Sequence, residues 1–211
     1  MIGVIMALIY IMWDQLSHSL SALNQVSKND IIVMSELRSD AVKVKHHKKK
    51  LVFLFAAMRK FAKELEDKGL QVIYTKLTDT NNTHSIEGEI KRQLKHHKQD
   101  SVILTEASEY HNQQTLLALS NKFKTTVEIK PDDRFLCTHE RFSDWADNRK
   151  QLRMEYFYRD MRKQYDVLMI GNEPLGGQWN FDKDNRSPPK KSLIIPKPFS
   201  IEPDTIVQDV A

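Results

Sequence analysis

Two short polar stretches carry the side chains best suited to hold a ligand. Trp13-Asp14-Gln15-Leu16 follows one apolar run directly, and Ser35-Glu36-Leu37-Arg38-Ser39-Asp40 follows the next. Carboxylates and amides placed there can bond a ring N–H or a hydroxyl of a ligand. Asp14 and Asp40 can equally cap the helices that follow them. A third cluster, Lys43-Val44-Lys45-His46-His47-Lys48-Lys49-Lys50, has the charge of a phosphate or nucleic-acid patch, or of a solvated loop leading into a helix. The pairs His46-His47 and His96-His97 lack further ligands at metal-binding spacing and make weak metal candidates. No Ser-His-Asp set, Cys-His pair or carboxylate dyad stands out, so the residues by themselves define no catalytic constellation. Tyr156-Phe157-Tyr158 alternates with Arg153, Arg159 and Arg162. That pattern fits a helix packing one face on a core or partner domain better than it fits a base-stacking surface.

Elements must put these side chains in one place. Runs rich in Ile, Val, Leu and Thr predict strands over 6–12, 30–35, 70–76, 101–105 and 125–130. The opening run has no charge before Asp14. It is too short to span a bilayer and lacks the basic flank of a signal peptide, so it reads as a strand buried on both faces, with Met6 an alternative start. Leu51, Leu54, Phe55, Met58, Phe61, Ala62 and Leu65 repeat at helical spacing and predict a long helix over 48–68, with Gly69 at the C′ position. Weaker patterns predict helices over 82–97 and 110–122. Strand–helix alternation repeated five times predicts an α/β fold, a Rossmann-like, doubly wound, five-stranded parallel sheet with helices on both faces. Such a sheet binds ligands at the carboxyl ends of its strands, where both polar stretches fall. Neither a GxGxxG fingerprint nor a P-loop is present.

Beyond Pro131 the period changes. Residues 138–150 and 153–165 predict two helices without an intervening strand. Pro188, Pro189, Pro196, Pro198 and Pro203 give the last stretch the composition of an extended linker. The organisation expected is therefore an α/β domain over 1–130, a helical extension and interdomain segment over 131–186, and a linker over 187–211.

Composition narrows the class. The chain has 211 residues, 40% hydrophobic and 28% charged, with a net charge of +4. That is ordinary for a soluble globular protein with a core, and the mild basicity permits nucleic-acid contact without demanding it. Cys137 is the one cysteine. It excludes an internal disulfide and any cluster or zinc site held by four cysteines of this chain. A small buried side chain in a reducing, cytoplasmic setting, with no membrane association, is the expectation for it.

A family resemblance runs through nearly the whole chain to Arg186. Its residues are Asp14-Gln15-Leu16, the Glu36 loop, the His46–Lys50 run, Phe55-Ala56-Ala57-Met58-Arg59 with Phe61-Ala62, and Arg134-Phe135-Leu136. Met154-Glu155-Tyr156-Phe157-Tyr158-Arg159-Asp160-Met161-Arg162 and Gly176-Gly177-Gln178-Trp179-Asn180-Phe181-Asp182-Lys183-Asp184-Asn185-Arg186 complete it. In this order they resemble the deoxyribodipyrimidine photolyase-related proteins, the branch of the cryptochrome/photolyase superfamily that includes bacterial (6-4) photolyases with an iron–sulfur cluster. The last two segments are long enough to be specific.

The resemblance implies an N-terminal antenna domain whose light-harvesting chromophore is 6,7-dimethyl-8-ribityllumazine. A missing C-terminal helical domain would carry FAD, a 4Fe-4S cluster and the pocket for damaged DNA, reached through the linker. It implies a full-length lyase or blue-light sensor and a chain that is inactive alone. The matching chromophore positions are Asp14, Gln15, Leu16, Ser35, Glu36, Asp40 and Leu54. Asp40 would accept hydrogen bonds from the ribityl chain or a ring N–H, and Leu16 and Leu54 would sandwich the heterocycle. Two positions depart from the family pattern: Trp13 stands where the family usually has Gly, and Lys43 where it often has Tyr. Two other classes stay open, a stand-alone nucleotide- or flavin-like ligand-binding module and an interaction domain with an empty cleft. The sequence does not indicate an oligomeric state.

Overall fold

The computed structural model describes residues 6–183, 186, 188–190 and 192–211. The reading of residues 1–5 as an upstream extension lies outside the described residues, as do Asp184 and Asn185 of the last motif and Ser187 and Lys191 of the tail. The chain forms two compact units, residues 6–135 with Glu202–Ala211, and Leu136–Ile201. The first boundary thus falls a few residues after Pro131, and the chain's end joins the first unit.

The five apolar runs of the first unit form one parallel sheet. Its strands are β1 (Ala7–Ile11), β2 (Ile31–Ser35), β3 (Gln71–Thr75), β4 (Ser101–Thr105) and β5 (Thr126–Lys130), in the order β3-β2-β1-β4-β5. All residues of β1 and β2 are buried, as a central parallel strand requires. Alternation along β1 divides the core. Ala7, Ile9 and Ile11 face one cluster, with Ile32 and Met34 of β2. Leu8, Tyr10 and Met12 face the other, with Ile31 and Val33.

Helices close both faces. On the first, α2 (Lys48–Asp67) buries Phe55, Met58, Phe61, Ala62 and Leu65 against the sheet, aided by a 3₁₀ turn at Ser21–Leu23. On the second lie α3 (Ile86–His96) and α4 (Tyr110–Leu119), contributing Ile86, Ile90, Leu116 and Leu119. The end of α2 follows the expectation for Gly69. Its φ is +79°, and its N–H donates to Glu66 at 2.8 Å while Leu70 N–H reaches Leu65 at 3.2 Å. This is the paired closure that a left-handed C′ residue allows. A short helix, α1 (Arg38–Lys43), fills the stretch read as a polar loop after β2.

In the second unit, α5 (His139–Ala146) and α6 (Met154–Tyr165) precede a two-residue hairpin of β6 (Met169–Ile170) and β7 (Glu173–Pro174). Phe142, Trp145 and Phe157 form an aromatic contact between the two helices, with centroids 5.0–5.8 Å apart. Trp145 Nε1 donates to Asp160 at 2.8 Å. Buried Arg162 donates to the carbonyls of Val167 and Leu168, and Trp179 lies against Arg159, Arg162 and Lys163 at 5.3–5.4 Å. Phe157, Arg159 and Arg162 of α6 therefore pack on their own unit, whereas Arg153, Tyr156 and Tyr158 are exposed. Cys137 is half-buried rather than fully buried, its Sγ 3.3 Å from the Thr138 carbonyl, because the segment before α5 contributes no core layer.

The tail is not extended throughout. Pro203 is followed by α7 (Thr205–Val210), whose N-cap Asp204 accepts from Val207 N–H at 3.0 Å. A proline just before a cap leaves the helix intact, since no intrahelical donor is lost. α7 packs on α2 with Val210 against the core, and Asp209 bonds both Arg59 (2.6 Å) and Lys76 (2.8 Å).

Candidate functional site

The carboxyl ends of β1, β2 and β4 lie side by side, and the sheet order reverses between β1 and β4. Ligands of doubly wound sheets sit at this switch point. After β1 the chain turns tightly, with Gln15 N–H donating to Met12 at 3.0 Å. Gln15 is buried, and its amide crosses the switch point. Oε1 accepts from Met12 N–H at 3.2 Å, and Nε2 donates to the carbonyls of Thr105 (3.1 Å) and Glu106 (3.0 Å). Gln15 therefore holds the cleft floor together rather than pointing at a ligand.

Asp14 stands on the rim. Its carbonyl accepts from Arg134 Nη1 at 2.6 Å, and Arg134 is fixed in turn by Asp132 at 2.6 and 2.8 Å. Desolvation raises the Asp14 carboxyl above the ordinary range. Arg134 opposes that rise, and Asp132 and Glu109 add to it. Asp40, half-buried in the first turn of α1, is pushed up to about 6, first by desolvation and then by Asp14; Lys43 opposes the rise and Glu109 adds to it. The N-cap of α1 is Leu37, and the 3₁₀ turn after Asp14 begins behind Leu20. Neither aspartate is an N-cap. Lys43 spans the cleft mouth, donating to both Glu109 oxygens at 2.9 Å, while Glu109 caps α4 by accepting from His111 and Asn112 N–H.

Beside Asp40 opens a cavity of about 430 Å³ whose lining includes Lys43, Ser85, Lys91, His111 and Asn112. That volume lies within the range of small-molecule sites. A carboxyl titrating near 6 offers an acceptor, and a donor when protonated, to a ring N–H or a ribityl hydroxyl. The lining offers hydrogen-bond donors and acceptors, with charges of both signs, to a polar ligand.

The other predicted positions go elsewhere. Ser35 is buried at the end of β2 and donates to Glu89 at 3.3 Å. Glu36 is 1% exposed and accepts from Arg59 Nε (2.6 Å), Arg59 Nη2 (3.2 Å), Tyr74 Oη (2.9 Å) and Leu77 N–H (2.8 Å). It borders a different cavity of about 380 Å³, with Phe55, Arg59 and Lys76 of unit one and Asp209 and Val210 of α7. Leu16 packs on the first-face core and Leu54 is half-buried on α2, so the two do not sandwich the cavity beside Asp40. The structure thus brings together Asp14 and Asp40 and commits Gln15, Ser35 and Glu36 to internal bonding. Trp13 packs on the same core and meets His46 edge-on at 5.8 Å.

Lys43, Glu109, Arg134 and buried Tyr10 also belong to the site; the sequence singled out Lys43 and Arg134 only as members of the basic run and of the family motifs, and Glu109 and Tyr10 not at all. Tyr10 has its hydroxyl pKa raised by burial, then by Asp40. Glu109 had a signal, since it follows β4 as Asp14 follows β1, but using it requires the strand order. Among the described residues no cluster of His, Cys, Asp or Glu can hold a metal, and no helix is long and apolar enough to cross a membrane.

Comparison with known proteins bears on this site. A family profile described as deoxyribodipyrimidine photo-lyase-related protein matches residues 9–211. A (6-4) photolyase of Agrobacterium fabrum is 43% identical over 204 residues, covering 96% of this chain and 40% of that protein. An uncharacterized protein of Acanthamoeba polyphaga mimivirus is 25% identical over 150 residues, covering 69% of this chain and 74% of its own length.

Proposed function

Because the chain belongs to the deoxyribodipyrimidine photo-lyase-related protein family, we propose that it is the antenna part of a photolyase- or cryptochrome-like flavoprotein and binds a ribityllumazine chromophore beside Asp40. The observation that carries this reading is the raised Asp40 carboxyl, next to Asp14, on the wall of a cavity of about 430 Å³ between α1 and the N-terminal halves of α3 and α4. A bound lumazine would absorb light and pass its excitation onward. The chain's own part is to bind and orient it: Asp40 to the polar edge or polyol, Lys43 and Glu109 closing the mouth, and Gln15 keeping the floor rigid.

In this reading FAD and the 4Fe-4S cluster belong to sequence beyond residue 211, since Cys137 is one thiolate where such a cluster takes four. Light-driven repair of (6-4) photoproducts, or blue-light sensing, is then a property of a full-length protein. The chain spans 40% of the length of the Agrobacterium relative, which fits a part of such a protein.

The test is a titration of the purified chain with 6,7-dimethyl-8-ribityllumazine, followed by absorbance and fluorescence. Saturable spectral change is expected, weakened about tenfold in Asp40→Asn through loss of a hydrogen bond to a charged group. No spectral change at high micromolar ligand overturns the antenna reading. Saturable binding of FMN without binding of the lumazine moves the chain to the class of stand-alone nucleotide- or flavin-like modules.

A further inference from the structure

The run from Lys45 to Lys50 lies on the loop before α2 and on its first turn, and every residue but His46 is exposed. Among the described residues Lys45, Lys48, Lys49 and Lys50 form no ion pair, whereas Lys43, just before them, is tied to Glu109, and Lys60, Lys63 and Lys76 further along the unit each hold a carboxylate. The first turn of α2 contains no acidic residue. Lysines therefore add to the positive end of a 20-residue helix dipole instead of offsetting it. The other unpaired lysines of this unit include Lys28 and Lys124, which stand apart, and Lys91, Lys95 and Lys98, which lie in the second half of α3 and just past it, where the negative end of the helix dipole offsets them. Among the described residues of this unit, the run before and on the first turn of α2 is the group of unpaired lysines set at the positive end of a helix dipole.

The geometry of the run selects among anions. Successive residues on a helix diverge by about 100°, so Lys48, Lys49 and Lys50 cannot converge on one phosphate. Each can meet a separate phosphate of a continuous backbone, with Lys45 extending the line. Phe53, 70% exposed, lies one turn further on the face of Lys49 and Lys50 and offers a ring on which an unpaired base can stack. A lipid surface would require an apolar stripe to insert, and the stripe of α2 is already buried on the sheet through Phe55, Met58, Phe61 and Leu65.

We infer that the Lys45–Lys50 run is a sequence-independent docking site for a nucleic-acid phosphate backbone, used single-stranded where Phe53 takes part. It lies outside the cavity beside Asp40 and needs no chromophore, so it stands or falls separately from the antenna reading.

The experiment is fluorescence anisotropy of a labelled oligo(dT) strand against the whole chain across salt concentrations. Binding is expected to weaken about 50-fold between 50 and 200 mM salt, as about four phosphate contacts on a single strand require. Replacing Lys45, Lys48, Lys49 and Lys50 by Gln is expected to weaken binding at low salt at least tenfold and to flatten the salt slope by about three units. A control replacing Lys28, Lys95, Lys98 and Lys124 by Gln removes the same charge away from the N-terminus of α2 and is expected to cost less than about threefold. Equal losses in the two variants, no binding at low salt, or binding to phosphatidylserine vesicles without binding to the oligonucleotide would each overturn the inference. Circular dichroism of both variants checks that they fold.

Discussion

Glu36 and Asp40 lie four residues apart but meet different surroundings. Glu36 is buried under four donors from α2, β3 and the β3 loop. Breaking a buried pair strands the remaining charge, and Arg59 has a side chain only 13% exposed. Glu36→Ala is therefore expected to lower unfolding free energy by about 3 kcal/mol, measured by urea denaturation; a loss below about 1 kcal/mol would mean water reaches Arg59 and the network is not a fixed strut. Asp40 has the opposite balance. Its folded carboxyl titrates at about 6 against an ordinary 3.8, so the folded state binds more protons in between, and stability falls as pH rises through that window. Asp40→Asn removes the penalty. The variant is expected to be more stable than the parent at pH 7.5, by roughly 1 kcal/mol once solvent screening at this half-buried site is allowed for, and equal to it at pH 3.5. Equal melting temperatures at both pH values would show that Asp40 is not perturbed. Neither role was legible from sequence. The donors to Glu36 come from residues 23 to 41 positions away, and the rise at Asp40 comes from burial first and then from Asp14, both of which only the folded chain creates.

The strands were legible because of their apolar runs, which face core on both sides in β1 and β2, and α2 because its apolar spacing spans about four turns. Elements that obey weaker rules were not. α1 is a helix of six residues with no side-chain cap, and its sequence carries the turn-forming Ser39 and Asp40. α7 lies inside a proline-rich tail and is held by Asp204 and Asp209 against Lys60, Arg59 and Lys76, contacts that only the folded chain creates. Gly88 shows how tightly α3 is seated. Its added Cβ would lie 2.4 Å from Thr83 Oγ1 and 2.7 Å from Thr83 Cβ, and Thr83 already bonds Glu89 by N–H and hydroxyl. Thr83 cannot withdraw without giving up those bonds to a buried carboxylate. Gly88→Ala is thus expected to cost about 2 kcal/mol by overpacking, although alanine is the better helix former by about 1 kcal/mol. A stabilising Gly88→Ala in thermal melts would show that the Thr83 loop yields freely. For α7, Asp209→Asn is expected to speed amide exchange in Thr205–Val210 while leaving β1 and β2 protected, because their cores do not include it.

The two units differ in what holds them. Unit one places two hydrophobic clusters on the faces of one sheet. In Leu136–Ile201, only Trp145, Arg162 and Pro174 are buried among the described residues. The second unit thus relies on ring contacts, cation stacking on Trp179 and arginine bonds to carbonyls. Interactions of this kind are individually worth about 1 kcal/mol and are partly exposed to solvent. Cores of the first kind remove far more apolar surface from water. The second unit is therefore expected to unfold first. Tryptophan fluorescence reports this selectively, since Trp145 and Trp179 lie in the second unit and Trp13 in the first. Chemical denaturation is expected to shift the fluorescence midpoint to lower urea than the far-ultraviolet circular dichroism midpoint, and Trp13→Phe is expected to widen the gap. Coincident midpoints in both proteins would show that the units unfold as one, with the short aromatic unit stabilised by more than its own contacts.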